Sequence, residues 1–218
     1  MTLNEFIKAW PILKRQVKSL HVPWLDQVAS SERDPFKVLI SCILSLRTQD
    51  KVTGEASRRL FKLAQTSEQL SKLPVVKIEK TIYPVGFYRV KARNIKEISR
   101  DIIAKYYGRV PDTIDELLTF KGVGRKTANL VVTLGYNKDG ICVDTHVHRI
   151  PNRWGMIKTK TPHETEFALR EILPVRYWRE LNSNLVAFGQ GICKPISPLC
   201  SRCKVYSYCD RVGVFHHR

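Results

Sequence analysis

One tripeptide restricts the fold more than any other feature of the chain. Gly122-Val123-Gly124 lies between two runs of helical periodicity, Ile114, Leu117 and Leu118 before it and Ala128, Leu130, Val131 and Leu134 after it. Thr113-x-x-Glu116 is a capping box that opens the first run, and Gly108 closes the helix ahead of it. The segment therefore predicts two helices joined by a tight glycine hairpin. Glycines one residue apart let the main chain approach another molecule closely. A helix starting at about Gly124 or Arg125 turns its free N–H groups outward, a setting that suits a phosphate, and Lys121 and Arg125 add charge there. An ordinary helix-helix turn would use the same glycines. Lys126 falls in the first turn of the second helix, where a lysine is either a solvated surface cation or a nucleophile. Asp144 follows in the apolar frame of Ile141, Cys142 and Val143 and can supply a carboxylate to the same chemistry.

A second, independent signal lies near the C-terminus. Cys193, Cys200, Cys203 and Cys209 form a C-x6-C-x2-C-x5-C set in a chain with only two further cysteines, Cys42 and Cys142. Four thiols so close together read as one metal site, and spacing leaves zinc and a [4Fe-4S] cluster both open. Disulfides are disfavoured, because no secretory signal is visible and the C-x-x-C step suits a metal.

The rest of the chain reads as helix throughout. Phe6, Ile7, Trp10, Leu13 and Val17 predict an N-terminal helix that ends before His21-Val22-Pro23. Asp34 and Pro35 look like the cap and first residue of a helix through Leu46, apolar nearly all round and hence central, with Cys42 in its core. Asp50 is placed to cap the next helix, through about Leu63. Short helices punctuated by Pro74 and Pro84 lead to a turn at Gly86-Phe87-Tyr88. The helix after it carries Ile95, Ile98, Ile102 and Tyr106 on one face and Arg93, Lys96 and Arg100 on another. His146, His148, Arg149 and Arg153 share a helix after Asp144. Tyr177, Leu181, Leu185 and Phe188 mark the last long one, and Gly189-Gln190-Gly191 leads into the cysteine loop, where Lys194, Arg202 and Lys204 surround the metal site. No repeat, linker or low-complexity run is present.

Charge narrows the partner. The 218 residues carry 37 basic and 20 acidic side chains, a formal charge of +17, distributed along the chain rather than gathered in a tail. Such an excess predicts a polyanion bound by a folded face, with strong salt dependence. An anionic membrane surface is the competing partner, but no long apolar span and no amphipathic basic N-terminus supports it. The expected setting is cytoplasmic and the expected state a monomer.

Taken together, Gly122-Val123-Gly124-Arg125-Lys126-Thr127-Ala128-Asn129, Val143-Asp144-Thr145-His146 and the cysteine spacing resemble endonuclease III, a family of helix-hairpin-helix DNA glycosylases, over residues 36–209. The resemblance implies an all-α, two-lobed helix-hairpin-helix DNA glycosylase fold with a C-terminal iron-sulfur cluster loop. Residues 28–138 would form a six-helix lobe holding the hairpin, and residues 1–27 with 139–218 the cluster lobe. It further implies a bifunctional glycosylase and abasic-site lyase that excises oxidised pyrimidines from damaged double-stranded DNA. Lys126 would be the nucleophile, Asp144 the catalytic carboxylate facing it across the interlobe cleft, and Cys193, Cys200, Cys203 and Cys209 the ligands of a [4Fe-4S] cluster. Lys121, Gly122, Val123, Gly124 and Arg125 would hold DNA, and Phe87 would wedge into the duplex. The chain departs from the family in two places. Phe120-Lys121 replaces the common Leu-Pro before the glycines, and Arg47, with Gln49 nearby, stands where a glutamine often fills the gap left by the flipped base. A mismatch-specific thymine or adenine glycosylase of the same superfamily is the nearest rival, although relatives that only release the base typically lack lysine at this position. A non-enzymatic DNA-binding module with a structural metal is the other.

Overall fold

The computed structural model describes residues 1–20 and 33–218, and the break expected at His21-Val22-Pro23 and the lobe boundary at 27/28 lie outside them. The described residues are helical, with no strand among them. None of their helices is long and apolar enough to cross a membrane. The chain divides into two compact units, Trp24–Gly140 and the pair of segments Met1–Pro23 and Ile141–Arg218.

The continuous unit is built around α2 (Pro35–Ser45). Asp34 caps it by accepting from the N–H groups of Phe36 and Lys37 at 2.9 and 3.4 Å. Phe36, Val38, Leu39, Ile40, Cys42, Ile43 and Leu44 are all buried, so every side of the helix packs, as expected of a central element. On it pack α3 (Asp50–Leu63), α6 (Tyr88–Tyr106) and α8 (Arg125–Leu130), while α4 (Ser67–Lys72) and α5 (Val75–Ile82) pack on α6 and α7 (Ile114–Leu118) pairs with α8 in the hairpin. The last turn of α8 widens into a π-helical segment, Val131–Gly135, that packs on α2. One capping expectation fails. Gln49, not Asp50, is the N-cap of α3, and Asp50 is already the first helical residue.

The discontinuous unit joins α1 (Leu3–Val17) to α9 (Thr145–Arg153), α10 (Pro162–Ile172) and α11 (Trp178–Gly191). Phe6 stacks on Trp10 at 5.1 Å, and Tyr177 meets Phe6 edge-on at 5.3 Å. Trp10 Nε1 donates to Glu180 at 2.7 Å, which satisfies the one polar atom of a buried ring. Gly189-Gln190-Gly191, read from the sequence as a lead-in to the cysteine loop, is instead the last turn of α11.

Candidate active site and cysteine pocket

The hairpin owes its shape to two glycines doing different work. Gly122 has φ +81°, and a Cβ there would also lie 2.9 Å from Asn94 Nδ2, so the turn needs glycine for itself. Gly124, the N-cap of α8, is extended at φ −102°, and nothing lies within 4 Å of a Cβ built on it. Between them Val123 is buried, and its N–H closes the turn on the Phe120 carbonyl at 3.1 Å. Phe120, where the family often has leucine, is buried with its ring edge-on to Tyr106 at 5.7 Å. Lys121 projects into solvent and pairs with Glu97 at 3.6 Å, an exposed contact too weak to hold it from another anion. Arg125 is half-buried and Lys126 exposed, in the first turn of α8. Buried Asn129 fastens that turn, its Nδ2 donating to the Arg125 carbonyl at 3.1 Å.

Asp144 belongs to the other unit and is the N-cap of α9. Its Oδ1 accepts from the N–H groups of His146 and Val147, both at 2.9 Å. The carboxylate is thereby oriented, with one oxygen committed to the helix.

A third group gathers at the corner between α2 and α3. Arg47 and Phe87 both adopt left-handed backbone angles, φ 52° and 57°, and the Arg47 guanidinium lies 5.6 Å from the centre of the Phe87 ring. Phe87 is 60% exposed. Gln49 is exposed at the same corner. Behind the pair lies Lys91, 6% exposed, a residue the sequence reading passed over. Burial pushes its ammonium down to about 8. Its sequence signal was its spacing, since Lys91 continues the apolar face of Ile95, Ile98 and Ile102 by one helical turn.

The four cysteines carry free thiols and line one cavity, walled on its inner side by Trp154, Phe188 and Ile192. Burial pushes Cys203 up to about 12 and raises Cys200 and Cys209. Against that stand backbone N–H groups, of Val205 toward Cys203 and Arg211 toward Cys209, and the guanidinium of Arg153, 3.6 Å from Cys193 Sγ. Arg153 also donates to the carbonyls of Lys194 and Pro195, both at 2.6 Å, and Arg149 to that of Cys193 at 2.8 Å. These two arginines of α9 latch the cysteine loop. Lys194, Arg202 and Lys204, expected around the metal, are not among the residues lining the cavity, whereas Arg153 and Arg211 are. Among the described residues no three His, Cys, Asp or Glu side chains are drawn together closely enough to chelate a single ion.

Residues 40–175 match the family of HhH-GPD superfamily base excision DNA repair proteins. The chain is 50% identical to endonuclease III of Thermotoga maritima over 179 residues, 82% of this chain and 84% of that protein. This chain belongs to the endonuclease III family. Other family members are longer. The chain is 43% identical to the chloroplastic endonuclease III homolog 2 of Arabidopsis thaliana over 80% of its own length but only 47% of that protein's. Among solved structures, a trapped endonuclease III-DNA covalent intermediate superposes with a TM-score of 0.85 at 32% identity, covering 97% of both chains. The span matched by the superfamily contains Lys126 and Asp144 but ends before the cysteines.

Proposed function

We propose that this chain is a bifunctional DNA glycosylase and abasic-site lyase of base excision repair, acting on oxidised pyrimidines in duplex DNA. The observation that carries the reading is the full-length likeness to an endonuclease III captured covalently on DNA, in a chain that keeps a lysine at the start of α8. A base stacked in a duplex is out of reach, so the nucleotide is extruded first, at a cost of a few kcal/mol that is least for a lesion. Hairpin N–H groups with Lys121 and Arg125 hold backbone phosphates, contacts that position without reading sequence. Arg47 and Phe87 enter the duplex where the nucleotide has left. The uncharged amine of Lys126 attacks C1′, the base departs with the glycosidic electron pair and a proton, and a Schiff base remains. Ionised Asp144 steadies the positive charge developing on the sugar and helps move the proton. The imine acidifies the 2′ hydrogen, whose removal expels the 3′ phosphate by β-elimination.

Cys193, Cys200, Cys203 and Cys209 are the residues that would hold a [4Fe-4S] cluster. Four thiols on one cavity, N–H groups directed at two sulfurs, and Arg153 and Arg211 beside them suit a group of net negative charge. Such a cluster would supply a covalent tie across the loop after α11.

The test is a duplex with one thymine glycol, incubated with the protein and borohydride and resolved on a denaturing gel. A covalent adduct is expected, and Lys126→Gln should reduce it by about a hundredfold or more while leaving damaged-DNA binding in place. Base loss without an adduct would overturn the Schiff base in favour of a water-using glycosylase. Binding with neither would leave only a DNA-binding module.

A further inference from the structure

We propose that Lys91 is a positioning residue that sets the height and spacing of the Arg47 and Phe87 side chains. The inference rests on the reading above, in which that pair occupies the space left by the flipped nucleotide. Two bulky residues in left-handed conformations are strained, and strain persists only where the surroundings over-determine it. Lys91 is what over-determines it. Its Nζ donates to the carbonyls of Leu44 and Leu46 at 2.8 and 2.5 Å and to Thr48 Oγ1 at 3.2 Å. Leu46 and Thr48 are the two chain neighbours of Arg47. The backbone N–H of the same lysine bonds the Phe87 carbonyl at 3.0 Å, so one residue is tied to both halves of the pair.

Two further contacts lock the corner. Thr48 Oγ1 also accepts from the Gly86 N–H at 3.2 Å, and a Cβ on Gly86 would lie 2.6 Å from the Arg47 carbonyl oxygen. The residues preceding the aromatic and carrying the arginine are thus in backbone contact. The ammonium also faces the C-terminal end of α2, where the helix dipole favours a cation. Among the described residues no carboxylate pairs with it. A buried ammonium without a counter-charge is expensive, and an apolar side chain of similar volume is often as good for stability. A lysine here is explained by geometry rather than by packing.

The experiment compares Kd for a duplex carrying a tetrahydrofuran abasic analogue with Kd for the undamaged duplex, in the wild type, Lys91→Met, Phe87→Ala and the double variant. Lys91→Met is expected to weaken abasic binding about tenfold and undamaged binding by less than about twofold. If the lysine acts through Phe87, the double variant is no worse than Phe87→Ala. Equal losses on both duplexes, or additive effects of the two substitutions, would overturn the proposal. Should Lys91→Met not fold, Thr48→Val removes one acceptor at a half-buried position and should give the same selective loss in smaller measure. Unchanged selectivity in Thr48→Val would then overturn it. A wild type that does not distinguish the two duplexes would sink the glycosylase reading itself, and this inference with it.

Discussion

Asp144 joins an observed capping duty to the catalytic one proposed above. Oδ1 caps α9, and the family's chemistry asks for the charge of the same group. The two duties separate by substitution. Asparagine caps a helix about as well as aspartate, whereas loss of the cap costs about 1 kcal/mol. Asp144→Asn is therefore expected to melt as the wild type does and to lose most of its trapping by borohydride. Asp144→Ala should lose trapping and also be less stable by about that amount, read by chemical unfolding. A stable Asp144→Asn that still cuts thymine glycol at the normal rate would reduce Asp144 to a cap. The sequence pointed to this residue through its apolar frame, but its capping duty became visible only with the helix that starts after it. Lys91 shows the opposite case. Its position on the apolar face was written in the spacing, and a charged residue there was overlooked because charge on a helix usually means solvent.

The hairpin was legible because every local signal in it agrees: a capped start, apolar periodicity on both sides and two glycines between. The reason for each glycine was not legible, since it depends on neighbours distant in sequence, Asn94 for Gly122 and none for Gly124. This difference predicts different outcomes for alanine. Gly122→Ala forces a left-handed backbone onto a residue with a Cβ and should cost roughly 1–2 kcal/mol of stability. Gly124→Ala should cost less, about 0.5–1 kcal/mol, because its backbone is already extended and alanine is merely a poorer N-cap than glycine. Its abasic-DNA affinity should nonetheless fall, measured beside Gly122→Ala by thermal unfolding and by titration with DNA. Equal stability losses would refute the division of labour. The π-helical segment Val131–Gly135 left no mark on the sequence, as Val131, Val132 and Leu134 continue an ordinary helical pattern. It coincides with close packing on the start of α2, where a Cβ on Gly135 would lie only 3.0 Å from Pro35 Cα, and with Thr133 Oγ1 bonding back to the Asn129 carbonyl at 2.8 Å.

At the scale of the molecule, a formal charge of +17 spread along the chain makes DNA affinity largely a matter of released counterions. If six or more phosphates are held, affinity for undamaged duplex should fall by about three orders of magnitude between roughly 50 and 200 mM salt. A flat salt titration would mean that the charge serves another end. The all-helical class and the membership of the cysteines in one pocket followed from periodicity and spacing alone. The arginines of α9 that latch the cysteine loop did not, because their partners are carbonyl groups more than forty residues away.

The division of the chain also sets a timetable. Helix α1 belongs with α11, yet all of residues 24–140 lies between its unit's two segments. A ribosome adding about 5–20 residues per second needs roughly 6–25 s to make that intervening stretch. During that interval Phe6, Trp10 and Leu13 have no final partners, while the continuous unit can complete its core around α2. Helix α1 thus leaves the ribosome well before α11 does, and its apolar face waits for its final cover until α11 arrives.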